Sequence, residues 1–360
     1  MPNCGSQVIL CDVPINFDTY KGCTHACSYC FTQRKVSLQN AAPAEGAGSL
    51  RNFIEGRRNA LTSWCDWNIP LHWGSMSDPF QPGERRMKRS LACLEVLAET
   101  GYPMIVSTKG TGLLTEEPWL SLLGKCNVVV QVSMVHPDFD EWEPGTPPFA
   151  ERLKALPVLA RNSKRLIVRV QPYVVGYVSR VNHYFGDYAE AGVHGLIFEG
   201  LKRFTSAAGM EKIGADFVFP IERLRADFRE LREAAHEHGM KFYAGENRLR
   251  YMGDSATCCG VGDLPDWRVN KANMNYLPEI IYTDKMKEPG TALPFKSFAQ
   301  DASSSHTLAK MSYEDAMTIA KGTRTNRLSM GLSIEEPAGG TKRGRQAKPR
   351  NPQGQAAEGQ

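Results

Sequence analysis

Three cysteines fall within eight residues near the start of the sequence. Cys23, Cys27 and Cys30 have the spacing C-x3-C-x2-C, which ten randomly placed cysteines would produce in roughly 1 of 100 chains of this length. Thiolates bind soft metals, so the spacing indicates either a zinc ion or an iron–sulfur cluster. Zinc needs a fourth ligand, and His25 lies inside the loop between two cysteines, where reaching the same ion is awkward. The spacing therefore favours iron and sulfur, with zinc as the alternative.

Two further cysteines, Cys258 and Cys259, are adjacent in a loop just past the last predicted strand. If that loop caps the mouth of the fold, one of these thiols could serve catalysis as a hydrogen donor, or could bind a second cluster. The alternative is a pair of loop cysteines with no role. Cys65 and Cys93 fit on apolar helix faces and Cys126 opens a strand, so these three are expected in the core.

The rest of the sequence alternates short apolar runs with amphipathic stretches. The apolar runs are about four to eight residues long and rich in Val, Ile and aromatic residues, which is typical of buried strands. The amphipathic stretches repeat hydrophobic residues three or four positions apart and predict helices. The predicted strands span residues 14–20, 69–74, 103–108, 127–133, 166–172, 195–199 and 240–244, and the predicted helices span residues 50–64, 84–100, 116–123, 148–160, 180–191 and 221–238.

Strands separated by helices predict a parallel sheet, because a parallel connection needs a crossover of about a dozen residues or more. No glycine-rich dinucleotide fingerprint follows the first strand, so an α/β fold of the (βα) barrel type, partial or complete, is favoured over a doubly wound sheet. Functional residues of such barrels lie at the carboxyl ends of the strands. This places them in segments 22–34, 74–84, 107–110, 133–136 and 171–173.

The fifth predicted strand carries a polar alternation. Arg169, Gln171 and Tyr173 alternate with apolar residues, and successive side chains of a strand point to opposite faces. In a barrel this pattern predicts that the polar set lines the lumen, where Arg169 and Gln171 become candidates for binding a cofactor. An exposed sheet edge is the alternative.

Composition limits the class of protein. With 42% hydrophobic and 23% charged residues over 360 positions, the chain can bury a sizeable core, and it lacks any run of about 18 apolar residues that would span a membrane. The net charge of +4 is too small to indicate nucleic acid by itself. We expect a barrel over residues 1–262, a partly irregular extension over 263–334, and a flexible, disordered basic tail over 335–360.

The cysteine motif follows the first predicted strand and carries Tyr29 directly before its last cysteine. In these features it resembles the signature of the radical S-adenosylmethionine superfamily. The resemblance implies that Cys23, Cys27 and Cys30 hold three irons of a [4Fe-4S] cluster. The fourth iron would bind the amino and carboxylate groups of S-adenosyl-L-methionine. The family fold, a partial or full (βα) barrel, agrees with the predicted strands.

A narrower resemblance, to the spore photoproduct lyase-like branch that is often labelled DNA repair photolyases, covers residues 14–244. It implies that Ser77, Lys109 and Ser133 contact S-adenosylmethionine, and that the strand end with Ser75 and Asp78 lies near its amino group. The residues that carry this resemblance are Gly74-Ser-Met-Ser-Asp78-Pro-Phe-Gln-Pro-Gly-Glu84, Ser107-Thr-Lys109, Ser133, Glu143-Pro144 and Arg152.

The chain also departs from that branch. Ser75 stands where the lyase has its hydrogen-donor cysteine, and an alcohol O–H bond is too strong to quench a carbon radical. Phe31 replaces the tyrosine that follows the last cluster cysteine, which leaves Tyr29 as the candidate catalytic phenol. The chain is therefore better described as a relative of the lyase than as a lyase.

Together these features predict a cytoplasmic enzyme that reductively cleaves S-adenosylmethionine. An electron from a ferredoxin or flavodoxin would reduce the cluster, and the resulting 5′-deoxyadenosyl radical would act on a nucleic acid. The alternatives are a peptide or small metabolite as substrate, or a non-catalytic iron–sulfur or zinc module that senses redox state. Cytoplasmic location is expected from the reduced thiols and from the absence of a basic and apolar leader in residues 1–10.

Overall fold

The computed structural model describes residues 2–4, 11–35, 37–57, 68–255 and 257–270. The strands of these residues are β1 Asn3–Cys4, β2 Ile15–Phe17, β3 Tyr20–Lys21, β4 Ala42–Pro43, β5 Leu71–Trp73, β6 Met104–Thr108, β7 Val128–Ser133, β8 Arg165–Tyr173, β9 Gly195–Gly200, β10 Lys202–Arg203, β11 Glu211–Ile213, β12 Asp216–Val218 and β13 Lys241–Ala244. Eight of them form one sheet in the order β1-β2-β5-β6-β7-β8-β9-β13. Only β1 is antiparallel to its neighbour, and the other seven are parallel.

The seven parallel strands coincide with the seven that the sequence predicts, so the α/β fold class is confirmed. Between the described strands, no ladder joins β13 back to β1 or β2. The sheet is therefore a partial barrel, with an open side between its first and last strands.

Helices connect the parallel strands, as the crossover rule requires. They are α1 Ala47–Ile54, α2 Glu84–Met87, α3 Arg89–Thr100, α4 Thr111–Leu114, α5 Trp119–Leu123, α6 Phe149–Arg161, α7 Val178–Asn182, α8 Phe185–Glu190 and α9 Ile221–Glu237. Helix α9 begins directly after Pro220 and ends before Gly239, as its pattern predicts.

Two predicted helices are divided. The helix predicted over 84–100 breaks at Lys88, whose φ of +51° lies in the left-handed region. The buried carboxylate of Glu84 accepts hydrogen bonds from the N–H groups of Ser90 and Leu91, at 3.0 and 2.8 Å, and so caps the start of α3. The helix predicted over 180–191 is likewise split into α7 and α8. The helix predicted over 50–64 begins earlier, as α1 Ala47–Ile54, and residues 58–64 lie outside the described residues.

The sheet is buried on both faces, which explains why its strands are nearly continuous apolar runs. On the outer face, residues such as Val130 of β7 pack with helix residues such as Leu156 and Phe228. On the inner face, Val129 packs with Ile167 and with the segment that follows β13. The inner residues from β6, β7, β8, β9 and β13 are Ile105, Val129, Ile167, Ile197 and Tyr243.

Residues 257–270 cover this inner face. Leu264, Trp267 and Val269 are buried there, and the Trp267 indole N–H donates to Asn127 Oδ1 at 3.0 Å. Buried residues thus continue to residue 270, and the domain boundary expected after residue 262 stays a prediction. The rest of the predicted extension and the predicted tail lie outside the described residues. No helix in the described ranges is both long and apolar enough to cross a membrane.

A small sheet of order β10-β12-β11 stands between β9 and α9. Its strands are two or three residues long, too short for an alternating pattern to be read from sequence. It places residues 201–205 beside the cysteine motif, and the sequence does not predict this.

Candidate active site

The three cysteines lie in a loop directly after β3, here called the cysteine loop (residues 22–30). Neighbouring loops hold its backbone: Ser28 N–H donates to the Trp142 carbonyl at 2.9 Å, and Gly145 N–H donates to the His25 carbonyl at 3.0 Å. The Thr24 N–H donates to the Gln81 side chain at 2.9 Å. Loops that follow β5 and β7 therefore clamp the cysteine loop at the carboxyl end of the sheet, as the barrel predicts.

All three thiols are free, and the surroundings of two of them, Cys23 and Cys27, favour the protonated form. Burial, and then the nearby Asp78 carboxylate, raises the pKa of Cys23 to about 12. Burial raises the pKa of Cys27 to about 11, although the Lys109 ammonium opposes this rise. A metal must therefore displace protons from these thiols when it binds.

His25, the candidate fourth zinc ligand, has both ring nitrogens close to protein oxygens. Its Nδ1 lies 2.7 Å from the Gly145 carbonyl oxygen, and its Nε2 lies 3.2 Å from Asp78 Oδ2. The ring is 2% exposed. His25 thus lies between the two loops, with Nδ1 hydrogen-bonded to a carbonyl and Nε2 at ion-pair distance from a carboxylate, although Nε2 makes no aligned hydrogen bond.

Asp78 connects three loops. Its carboxylate accepts hydrogen bonds from the Thr108 hydroxyl at 2.7 Å and from the Lys109 N–H at 2.6 Å, besides facing His25. Burial alone would raise its pKa, but His25 and these donors lower the pKa of Asp78 below its ordinary value. The structure thus gives this carboxylate protein partners, and its contact with S-adenosylmethionine stays a prediction.

Asp18 organises the turn after β5 in the same way. Its carboxylate accepts hydrogen bonds from the Ser75 hydroxyl at 2.9 Å and from the N–H groups of Met76 and Ser77 at 3.0 and 3.1 Å. The Ser77 hydroxyl donates to the Tyr20 carbonyl at 2.6 Å. Burial raises the pKa of Asp18 to about 6, with those hydrogen bonds opposing the rise. Ser75 and Ser77 therefore lie on a turn whose shape is set by one carboxylate.

Lys109, Tyr29 and Glu143 meet beside the cysteine loop. Lys109 Nζ lies 3.6 Å from Glu143 Oε1 and 5.8 Å from the centre of the Tyr29 ring. The Tyr29 hydroxyl donates to Glu143, and Arg152 Nη2 lies 2.6 Å from the same carboxylate. Burial would raise the pKa of Glu143, but Lys109 and Arg152 outweigh it and lower this pKa. Burial, then the Glu143 charge, raises the pKa of Tyr29 well above its ordinary value, so the phenol keeps its proton.

Ser133, the last residue of β7, is paired in register with Arg169 in the middle of β8. The Ser133 carbonyl accepts from Arg152 at 2.8 Å. Arg169 donates to Gln131 at 2.7 Å and to Gln171. This agrees with the predicted polar lumen, and cofactor binding by Ser133, Arg169 and Gln171 stays a prediction.

The same polar layer continues across the strands. His72 Nε2 lies 2.7 Å from the Ser107 hydroxyl, and Gln171 donates to Glu199 at 2.5 Å. Burial, then the nearby Arg169 charge, lowers the pKa of His72 to about 3, so this ring is neutral. The sequence does not predict His72 and Glu199 as site residues, because each is a single polar residue in a mostly apolar strand and no polar alternation marks it.

Tyr173 does not belong to this layer, contrary to the alternation. Its ring packs in the outer core and its hydroxyl donates to Asp227 of α9 at 2.7 Å. The pairing of β8 with β9 shifts between Val170 and Tyr173. That irregularity turns the last residue of the strand to the opposite face.

Cys258 and Cys259 do not lie at the mouth of the barrel. Cys259 is 5% exposed within the inner core, and its carbonyl accepts from the Gln131 side chain at 2.9 Å. The neighbouring Thr257 hydroxyl donates to Asp12, which lies before the start of β2. The cysteine loop comes after the end of β2, so the two loops lie at opposite ends of this strand. This loop therefore meets the polar layer from the side opposite the cysteine loop, and a catalytic role of Cys258 or Cys259 stays a prediction.

A cavity of about 710 Å³ opens beside the cysteine loop. Its lining combines cations with aromatic rings, and the Arg34 guanidinium carbon lies 3.6 Å from the centre of the Phe204 ring. In the sequence this lining is visible only as a short basic and aromatic run, residues 201–205. The run does not indicate a binding site until the small sheet places it beside the cysteine loop. The lining residues are Ser28, Tyr29, Gln33, Arg34, Trp142, Leu201, Lys202, Arg203, Phe204 and Thr205.

Comparison with known proteins finds distant similarities. No family model matches the sequence. Two uncharacterized proteins, Mb2609c of Mycobacterium bovis and Rv2578c of Mycobacterium tuberculosis, are each 27% identical over 203 residues, which is 53% of this chain and 59% of theirs. The chain thus spans about three fifths of the length of these relatives.

Two solved structures align at low identity. Streptococcus suis SuiB bound to S-adenosylmethionine gives a TM-score of 0.47 at 9% identity, covering 65% of this chain and 51% of that one. anSMEcpe with bound AdoMet and the Cp18Cys peptide gives a TM-score of 0.39 at 15% identity, covering 62% of this chain and 58% of that one.

Proposed function

We propose that this protein is a radical S-adenosylmethionine enzyme whose [4Fe-4S] cluster binds to Cys23, Cys27 and Cys30. One observation carries the proposal: three free thiols with this spacing are clamped at the carboxyl end of a parallel partial barrel, directly above a polar lumen. Ligands of the reacting group in such barrels come from this end.

The arrangement of the thiols fits a cluster better than a single ion. Zn–S bonds of about 2.3 Å bring the sulfur ligands of one tetrahedral ion to about 3.8 Å from each other. Cys23, Cys27 and Cys30 do not form a group whose sulfur atoms all lie within 4.8 Å of one another. Irons at separate corners of a cluster hold their thiolates further apart. His25 cannot complete a zinc site, because both of its nitrogens face protein oxygens.

S-adenosylmethionine would occupy the space between the cysteine loop and the polar layer. The turn that carries Ser75 and Ser77 would face its amino group, with Ser133 and Lys109 on the neighbouring strand ends, and Arg169 and Gln171 below. When bound, the cluster and S-adenosylmethionine supply one-electron cleavage of the sulfonium to a 5′-deoxyadenosyl radical, with the electron coming from a ferredoxin or flavodoxin.

The chain's own residues hold this environment fixed and dry. Asp78 and Asp18 set the two turns that face the cysteines. Lys109 places a positive charge beside Cys27 and compensates Glu143. Tyr29 keeps its phenol proton and donates it in a hydrogen bond to Glu143. The phenol can therefore give up a hydrogen atom but does not act as a base. Pre-set groups of this kind need no rearrangement when the reaction begins.

The cavity beside the cysteine loop supports a nucleic-acid substrate. Arg34 and Arg203 line it together with the rings of Trp142 and Phe204. Cationic grooves with aromatic platforms bind single-stranded nucleic acid by contacting phosphates and stacking on bases. A strand bound here would present a base next to the cysteine loop.

Anaerobic reconstitution tests the reaction class. The full chain is loaded with iron and sulfide, reduced with dithionite and assayed for 5′-deoxyadenosine. We expect the nucleoside to form only in the presence of the cluster and S-adenosylmethionine. A fully loaded cluster that yields none would instead favour a non-catalytic redox module, and one zinc per chain on the cysteine loop would favour a structural metal.

Binding of single-stranded DNA tests the substrate class. We expect the affinity to fall with salt, and Arg34→Ala to weaken it by about tenfold and to reduce the salt dependence by about one phosphate contact. Arg51→Ala is the matched control, because this exposed arginine pairs with Glu99 and does not line the cavity. Absence of binding at low salt would count against nucleic acid and favour a peptide or small metabolite.

A further inference from the structure

A second cluster of metal-binding side chains lies at the opposite end of β2 from the cysteine loop. The sulfur atoms of Cys11 and Cys259 and a carboxylate oxygen of Asp12 all lie within 4.8 Å of one another. Across the described ranges, this is the one such group of three. Asp12 and Cys259 are buried and Cys11 is half-buried, so the group is not a chance cluster of exposed side chains.

The Asp12 carboxylate is incompletely satisfied. The side chain is 0% exposed. Its Oδ2 accepts a hydrogen bond from the Thr257 hydroxyl at 2.6 Å, whereas its buried Oδ1 has no partner beyond the weakly donating Cys259 thiol beside the carboxylate. A buried acceptor without a partner is costly, and such groups are usually satisfied by water or an ion. The buried Arg250 guanidinium bonds to Cys258 and lies near Cys11 and Cys259, but it does not donate to this oxygen. The two thiols beside the oxygen therefore point to a metal cation as the missing partner.

We propose that Cys11, Asp12 and Cys259 bind one zinc ion. Zinc takes thiolate and carboxylate ligands in a tetrahedral arrangement, and its sulfur ligands lie about 3.8 Å apart. A group already within 4.8 Å reaches that geometry by small side-chain shifts. The distance between ligand atoms distinguishes this site from Cys23, Cys27 and Cys30, which are not grouped within 4.8 Å and suit a larger iron–sulfur cluster. Cys258, next in the chain to Cys259, or a water molecule fills the fourth position.

The zinc ion would close the open side of the partial barrel. Cys11 and Asp12 precede β2, and Cys259 follows β13, at the two ends of the parallel sheet. Hydrogen bonds already join these regions: Asn270 N–H donates to the Asp12 carbonyl at 2.9 Å, and the Asn270 side chain donates to the Cys11 carbonyl at 3.1 Å. No strand ladder connects β2 with β13 within the described sheet. Coordination to one ion would therefore cross-link the two edges of the parallel sheet. Its binding energy would then add to the stability of the fold.

Cobalt binding tests the site independently of the proposed enzymatic function. The full chain with Cys23, Cys27 and Cys30 all changed to serine cannot hold the cluster. This parent variant, purified anaerobically under reducing conditions and stripped of metal, is titrated with Co²⁺. We expect one cobalt per chain, with the charge-transfer and visible bands of tetrahedral thiolate coordination, and its displacement by one equivalent of Zn²⁺.

Two further substitutions in the parent locate the site. Cys259→Ser should weaken cobalt binding by about tenfold or more and reduce the charge-transfer band. Cys126→Ser is the matched control, because that half-buried thiol donates to the Leu122 carbonyl at 3.1 Å and lies outside the group. Asp12→Asn keeps an acceptor for Thr257. Zn²⁺ should raise the melting temperature of the parent but not of this variant, whose fold is checked by circular dichroism.

Three results would overturn the zinc site: no cobalt bound by the parent, a cobalt spectrum unchanged by Cys259→Ser, or a Cys11–Cys259 disulfide that persists in reductant. Failure of the proposed enzymatic function gives a different result. In that case the unmodified chain forms no 5′-deoxyadenosine, while the parent variant still binds cobalt.

Discussion

Nε2 of His25 lies 3.2 Å from Oδ2 of Asp78, and both side chains are buried. This contact joins the middle of the cysteine loop to the turn after β5. Asp78 in turn holds the backbone of Lys109 at the end of β6. The conformation of the cysteine loop therefore depends on His25 and Asp78, which are not among the proposed metal ligands.

His25→Phe should destabilise the chain without changing a metal ligand. It leaves the Asp78 carboxylate buried beside an apolar ring, and removal of one partner from a buried polar contact costs about 1–3 kcal/mol. Urea unfolding of the metal-free protein measures the loss, and iron bound after reconstitution should fall with it. His183→Phe changes an exposed ring and should alter stability by less than about 0.5 kcal/mol. Equal effects of both substitutions would refute the role of the contact.

Cys27→Ala should abolish stable iron binding. Two remaining thiolates cannot hold three corners of a cluster, so we expect iron and sulfide after reconstitution to fall close to background. Cys126→Ala removes a half-buried thiol that does not belong to the loop, and it should keep the full content. Retention of iron and activity in Cys27→Ala would mean that the ligand assignment is wrong.

Lys109→Met should separate cluster binding from the cleavage of S-adenosylmethionine. The substitution keeps the aliphatic stem but removes the charge that lies 3.6 Å from Glu143. Arg152 still compensates that carboxylate at 2.6 Å, so iron content should persist. The rate of 5′-deoxyadenosine formation should fall by about tenfold, which is a loss of about 1.4 kcal/mol of transition-state stabilisation. An unchanged rate would place Lys109 outside the cofactor site.

Gly145→Ala should disturb the cysteine loop sterically. A Cβ at this position would lie 2.2 Å from the Thr24 carbonyl oxygen, at the point where the loop after β7 crosses the cysteine loop. We expect a lower melting temperature and reduced iron content. Gly48→Ala is the control: it lies inside α1 with no atom within 4 Å of the added carbon, and it should stabilise by about 0.5–1 kcal/mol. A neutral Gly145→Ala would show that the crossing can relax.

His72 makes the stability of the fold dependent on pH. Its folded-state pKa is about 3 and its ordinary value is 6.5. Below pH 6.5 the unfolded chain binds a proton at this ring and the folded chain does not, so unfolding becomes more favourable. The contribution of His72 is therefore full above pH 6.5 and is lost as the pH falls toward 3.

His72→Gln removes that titration but retains a polar partner for Ser107. We expect the difference in unfolding free energy between wild type and variant to shift in favour of the variant as the pH falls from about 7 to about 4. Asp18, with a folded pKa of about 6, titrates in the same range with the opposite sign. Since Asp18 is present in both proteins, its contribution cancels in the difference. A constant difference across this range would contradict a neutral buried His72.

Local pattern was sufficient for the parallel strands and for the longest helix of this chain. A run such as residues 128–132 is short and rich in β-branched residues on both faces, which is the pattern of a strand buried on both faces. The same holds for α9, where hydrophobic spacing, Pro220 and Gly239 agree. The cysteine motif and the loops at the carboxyl ends of the strands also follow from spacing and from the rule that parallel strands end at one edge.

Contacts between distant segments decided the rest. Asp12 meets Thr257 and Cys259 across some 245 positions, and the polar partners of Asp78 and Glu143 come from three separate loops. No periodicity records such pairs, since their energy depends on which side chains become buried together once the sheet has curved. The amino-acid pattern thus sufficed for the strands and the thiol spacing. Three-dimensional packing alone placed residues 257–270 under the barrel, turned Tyr173 outward, and brought a second set of thiols around an unsatisfied carboxylate.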